Sequence, residues 1–272
     1  MRVCAVLALA CAVGQMTAAR QHAGALGAAG AESLLERARQ AVGYQRTALH
    51  ALLFRGTVTE GVNAVTGRPV SEAKSLEIRI LLPDNYLRID GAGSDNRVSG
   101  FRGAIPLGTT KGMHGGGPRG AGVQPSLIGY ERNRLARLVL GVLAETASGI
   151  ILRPQDVLRT ADYQTVVLGT SGGPVWYLDL EKASHVPMQL RFADSVPMVT
   201  PLTGDELRAG VVRMPVPQQV EVTVTFGERR MIGRLLLPHL IVTRVRGVTF
   251  ETMRYDTISL NSLRISDFEV DR

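Results

Sequence analysis

The sequence predicts an α+β protein, a curved antiparallel sheet forming an incomplete β-barrel with two or three helices packed on its concave face. Three observations carry this. From Val175 onward the chain reads VWYLDL, VPMQLRF, QQVEVTVTF, MIGRLLLP, LIVTRVRG, VTFETMRYDTISL and LRISDFEV, short runs rich in Val, Ile, Leu, Thr and aromatics separated by Gly, Pro, Asp and Asn, as in a meander. Only two stretches place apolar residues at helical spacing, and no fixed period recurs, which argues against solenoids and propellers.

The elements follow in order. MRVCAVLALACAVGQMTAAR carries Arg2, an apolar run from Val3 to Val13 and small residues at Thr17-Ala18-Ala19, so residues 1–19 read as an export signal cleaved before Arg20. Residues 20–30 are small and read as a flexible start. Over 31–42, Ala31, Leu34, Leu35, Ala38, Ala41 and Val42 form one stripe of a helix that Gly43 stops. HALLFRGTVTE reads as a first strand, SLEIRILL as a second with Leu76, Ile78, Ile80 and Leu82 on one face, and NYLRID as a third with Leu87 and Ile89 on one side. Pro83-Asp84-Asn85 is the turn between the last two. Residues 91–122 form a Gly-rich loop with Arg97, Arg102, Lys111 and Arg119 and one short strand candidate near Val98 to Ile105. A second helix over 126–145 sets Ile128, Leu135, Leu138, Val139, Val142 and Leu143 on one face and three arginines on the other. Everything beyond Arg159 returns to strands, apart from an irregular connection between Asp194 and Pro217. Residues 31–272 read as one domain.

Composition narrows the class. Both cysteines, Cys4 and Cys11, lie in the signal, so the mature chain has no disulfide and depends on its core. Cys11 follows Ala8-Leu9-Ala10 but lacks the large aliphatic residue of a lipidation box. Cleavage removes one arginine from 31 basic residues against 24 acidic ones, leaving a net charge of +6 that suits anionic lipid head groups. The arginines are scattered with no run of five, which argues against nucleic acid. No later segment is uniformly apolar over the ~20 residues a membrane span needs.

Several segments together resemble the LolA/LolB/RseB group of periplasmic proteins, the outer-membrane lipoprotein-sorting type. They are the opening helix ending ARQAVG before FRGTVTE, the LPDNYLRID segment, WYLDLEKASHVPMQLRF, and GRLLLPHLIVTRVRG followed by LNSLRISDFEV. The resemblance covers roughly Ala31 to Val270. It implies a half-barrel closed by helices, a hydrophobic cavity, and transport or sensing of acyl chains at the cell envelope. The Gly-rich stretch 91–122 departs from the compact carriers of the group.

Catalytic motifs are weaker. Gly169-Thr170-Ser171-Gly172-Gly173-Pro174 resembles the nucleophile loop of trypsin-like serine proteases, with His50 and Asp90 or Asp95 in matching chain order. It also satisfies G-x-S-x-G, with His114-Gly115-Gly116-Gly117 upstream as in lipases, but Pro174 and a strand follow Ser171 where that chemistry needs a helix. A Gly-Gly-Pro turn explains the same residues. His22, His50, His114, His185 and His239 show no metal-ligand spacing, so neither a metal site nor a cofactor is expected. Asp179, Glu181 and Asp194 are spaced like turn and strand-edge carboxylates, and no pair stands out for acid–base work.

The sequence therefore predicts a monomeric, non-enzymatic periplasmic protein that binds a lipid, acyl chain or acylated protein. The ligand-lining candidates are Leu76, Ile78, Ile80, Leu87, Ile89, Trp176, Leu178, Met188, Leu190, Phe192, Val222, Val224 and Phe226, which alternate onto apolar strand faces. The alternative is an envelope sensor or scaffold with a filled core that contacts a membrane-protein partner.

Overall fold

Two meanders meet side by side in one sheet. A computed structural model describes residues 27–61, 72–92, 96–108, 125–146, 150, 152–170, 173–198, 205, 208 and 216–269. After helix α1 (Gly27–Ala41) come β1 (Ala51–Glu60), β2 (Ala73–Leu81), β3 (Asn85–Asp90), β4 (Arg97–Arg102) and β5 (Ile105–Gly108). Helix α2 (Pro125–Leu143) leads to β6 (Leu152–Arg159), β7 (Tyr163–Thr170), β8 (Trp176–Glu181), β9 (Pro187–Met198), β10 (Val216–Ile232), β11 (Leu235–Val245) and β12 (Val248–Leu260). The twelve strands form one curved, unclosed sheet in the order β5-β4-β3-β2-β1-β12-β11-β10-β9-β8-β7-β6, every neighbour antiparallel. The first strand thus pairs with the last, with Phe54 opposite Ile258. At the irregularity beside Gly56 the chains approach so closely that a Cβ would lie 1.9 Å from the Arg254 carbonyl oxygen, so only glycine fits there.

Departures from the sequence reading have local causes. β6 was not foreseen because Arg153, Pro154 and Asp156 break its alternation, yet it is an edge strand with a bulge between Pro154 and Asp156, where proline and charge are tolerated. The glycine-rich stretch contains the β4–β5 hairpin. Gly233, at φ 61, splits MIGRLLLP, so Met231 and Ile232 end β10 while LLLP joins LIVTRV in β11. Pro238 is accommodated in β11 because pairing with β12 begins only at Leu240. LRISDFEV holds a 3-10 helix, Ile265–Phe268, in place of a strand. Its fully buried Phe268 packs with Ala51, Leu53, Leu87 and Leu263 on the convex face.

The main core lies on the concave face, between the sheet and the two helices. α1 packs on β6 and β7, and α2 crosses the face to touch β3, β4, β5, β9 and β11. Every residue of α2 from Glu131 to Leu143 is buried or half-buried, and the half-buried ones are Arg132, Asn133, Arg134 and Arg137. The helix is covered on most sides and keeps only a narrow strip toward solvent, with Tyr130 exposed at 55%.

Candidate ligand-binding face

Strand pairing decides which candidates share a surface, because directly opposed residues lie on the same face. Leu52 and Phe54 of β1 meet Ile80 and Ile78 of β2. On the far side Phe226 meets Ile241, while Val224 and Val222 meet Leu190 and Phe192, which in turn meet Leu178 and Trp176. Ten of the thirteen candidates thus lie on the concave face with α2: Leu76, Ile78, Ile80, Trp176, Leu178, Leu190, Phe192, Val222, Val224 and Phe226. All but the half-buried Val224 are at most 4% exposed. Leu87 and Ile89 face the other way, since Ile78 opposes Arg88 and Ile80 opposes Tyr86, and they belong to the convex cluster around Phe268. Met188 is exposed at 36%.

α2 fills the concavity. At Gly141 a Cβ would lie 1.7 Å from Cζ of Phe226, so helix backbone and aromatic ring are in direct contact. Arg137 inserts its guanidinium over Phe192, 3.9 Å from the ring centroid, and 5.6 Å from that of Trp176, while its Nη2 donates to Asp194 at 2.8 Å. Arg132 lies over Phe101 at 5.5 Å and donates to the Gly103 carbonyl. At the C-terminal end Arg39 of α1 donates to the Ala144 carbonyl at 3.1 Å, and Arg46 makes a two-point pair with Glu145. Burial pushes the Glu145 carboxyl up, but the Arg46 hydrogen bond and the Arg39 charge outweigh it and hold it below the usual carboxylate range.

Toward β3 and β12 the inner face becomes ionic. Arg88 is 4% exposed and donates to Asp90 at 2.6 Å and Glu251 at 2.7 Å. Burial opposes its charge, but Glu251 and Asp90 more than offset this, so Arg88 is held well above its ordinary value. Burial likewise raises Glu251, but Arg88 and Arg134 bring it below the carboxylate range. Arg88, Arg134 and Arg137 were not among the sequence candidates. The available signal was that Leu135, Ala136, Leu138, Val139 and Leu140 point in several directions around α2, leaving its arginines only a narrow face toward solvent.

Buried polar atoms without a partner concentrate where α2 meets the sheet. Among the described residues eight such atoms occur, and five lie here: Glu131 Oε2, Arg132 Nε and Arg137 Nε on the helix, Trp176 Nε1 and His239 Nε2 on the sheet. His239 uses its Nδ1 on the Tyr255 carbonyl at 2.7 Å. Two clefts open elsewhere. One of about 520 Å³ is lined by Glu32, Glu36, Arg39 and Arg46, and one of about 370 Å³ by Tyr44, Arg46, His50 and Glu145. Neither is lined by any of the thirteen candidates.

The protease constellation is divided. The His50 carbonyl bonds the Leu82 amide while Asp90 pairs with Leu76, six residues away along β2, about 20 Å at the usual rise. His50 and Asp90 therefore cannot serve one site. Ser171, Asp95, His114 and Arg119 lie outside the described residues, as does the signal segment. Asp179 is no edge carboxylate: it is fully buried in β8 and accepts from Thr165, Gln189 and Arg191. No helix among the described residues is long and apolar enough to cross a membrane.

The architecture is a half-barrel closed by helices. No protein-family model matches the chain, and no curated protein matches it significantly in sequence. Among solved structures it is similar to a LolA superfamily protein from Nitrosomonas europaea, with 10% identity, a TM-score of 0.48, and coverage of 88% of this chain and 97% of that one. It is also similar to an outer membrane lipoprotein-sorting protein domain from Vibrio parahaemolyticus, with 12% identity, a TM-score of 0.44, and coverage of 88% and 97%. A DUF1329 family protein from Desulfovibrio piger aligns at 9% identity and a TM-score of 0.40, covering 89% and 97%.

Proposed function

We propose that the protein is a non-enzymatic, exported component of the cell envelope that binds the acyl chain of a lipid or lipidated protein between its concave face and α2. One observation carries this reading: the α2–sheet interface holds most of the unpartnered buried polar atoms. A permanent core satisfies its polar groups, because each unsatisfied one costs about 1–3 kcal/mol. An interface that leaves five unsatisfied is one that a further partner completes. The apolar floor from Trp176 to Phe226 supplies the affinity, at about 0.8 kcal/mol per methylene buried. Since the floor is covered in the described conformation, binding requires α2 to move outward.

The burial of the floor favours a second reading, a scaffold whose core is permanently filled and whose outer surface contacts a membrane-protein partner. Mass spectrometry of protein purified without detergent, together with titration of a fluorescent fatty-acyl probe, separates the two. A carrier yields bound lipid or saturable, displaceable probe binding, and Trp176, the only tryptophan, reports the entry of a chain by its emission. Recovery without lipid and without probe binding overturns the carrier reading. Stoichiometric fluorophosphonate labelling lost in Ser171→Ala would overturn the non-enzymatic one.

A further inference from the structure

We infer that Trp176 and Arg137 form a two-donor subsite for the uncharged carbonyl oxygen of an acyl ester or amide, and that the subsite discriminates against a free carboxylate. This rests on the acyl-binding reading above. Trp176 is 1% exposed, and its indole N–H, which can only donate, has no acceptor. The guanidinium of Arg137 lies 5.6 Å from the Trp176 ring centroid, and its Nε–H is also buried without an acceptor. Asp194 does not supply one: its Oδ2 accepts from Arg137 Nη2 at 2.8 Å and its Oδ1 from the Ser195 amide at 2.8 Å. One cluster therefore presents two unmatched donors.

Charge selects the ligand. Arg137 and Asp194 already form a neutral pair, so an ionised carboxylate would enter as a third, unbalanced charge in a desolvated place. An ester or amide carbonyl brings two lone pairs and no charge. The subsite also tolerates the helix movement that binding requires. The Arg137 head is held by Asp194 and by the rings of Phe192 and Trp176, all from the sheet, while only its flexible stem belongs to α2. As α2 moves outward the stem extends and the head stays with the sheet.

The test is competition against a fluorescent acyl probe by four C16 ligands at pH 8: 1-monopalmitoylglycerol, N-palmitoylethanolamide, palmitate, and an alkyl glucoside without a carbonyl. The full chain should bind the ester and the amide about tenfold more tightly than palmitate, the worth of one well-made buried hydrogen bond. Trp176→Phe keeps a ring and removes the donor; Arg137→Lys keeps the charge and removes Nε–H. Each should weaken the ester and amide about tenfold and leave the glucoside within about twofold. A preference between ester and amide distinguishes a glycerolipid from an amide-linked acyl source, and either supports the subsite. Palmitate binding as tightly as the ester, or a parallel loss for the glucoside, overturns it while sparing the carrier reading. Failure of all four ligands and the probe to bind overturns both. The comparison among ligands on the unsubstituted chain stands even if a variant does not fold.

Discussion

Trp176 and Asp179 are three residues apart on β8, point to opposite faces of the sheet, and are both buried to within 1%. Asp179 is fully answered: Thr165 Oγ1, Gln189 Nε2 at 2.7 Å, and Arg191 through Nε at 2.8 Å and Nη2 at 3.0 Å all donate to it. Trp176 has a single polar atom, and that atom has no partner. Burial is therefore common to both, and hydrogen-bond satisfaction separates them. Around Asp179 the convex face closes its own network, with nothing left there for a ligand to supply. On the concave face the chain buries polar groups that it does not itself complete, which is the signature expected of a surface that takes a partner.

Replacing Asp179 with alanine should have the largest effect. It would strand the Arg191 guanidinium and leave Gln189 and Thr165 without their acceptor, at a cost of about 3 kcal/mol in urea unfolding. A loss under about 1 kcal/mol would break the comparison, because the convex network would then be ornamental. Leu138→Ala and Leu143→Ala come next, since both side chains are buried in the main core. A permanently filled interior predicts losses of about 2–5 kcal/mol at each, whereas small losses with altered probe affinity would mark α2 as a movable cover.

A weaker effect is expected from pH. Folding lowers the Glu251 carboxyl, so its contribution to stability is present above the unfolded value near ~4.3 and is lost as pH falls through the lower folded value. Glu251→Gln should destabilise at pH 7 and flatten the stability profile between about pH 5 and 3. An unchanged profile would mean that the Arg88–Glu251 pair, which is satisfied although it lies on the inner face, adds nothing to stability. Trp176→Phe should have the smallest effect on stability, about 1 kcal/mol or less in the same urea assay, since a ring is retained and the lost N–H had no partner. A loss near that of Asp179→Ala would mean that the concave site is structural after all.

Alternation by itself placed Leu76, Ile78 and Ile80 of β2 and Trp176 and Leu178 of β8 on one face each, because in these strands one face is apolar and the side-chain period is 2. The two helices and the antiparallel meander were legible for the same reason, since period and turn residues are local properties. β3 was not legible. Both its faces are buried, Tyr86 and Arg88 inward and Leu87 and Ile89 against the convex cluster, so apolarity does not say which side is which. Its pairing with β2 decides that, and the 3-10 helix that covers Leu87 comes from residues 265–268, far along the chain. The contacts of the α2 arginines were likewise not legible, because the sequence gives neighbours along the helix and not across it. Only the folded sheet brings Phe101, Phe192, Trp176 and Asp194 to meet them. Sequence thus determined the elements and their faces wherever one face is polar, while tertiary structure decided register, cover and which buried polar groups find partners, because these depend on residues distant in the chain.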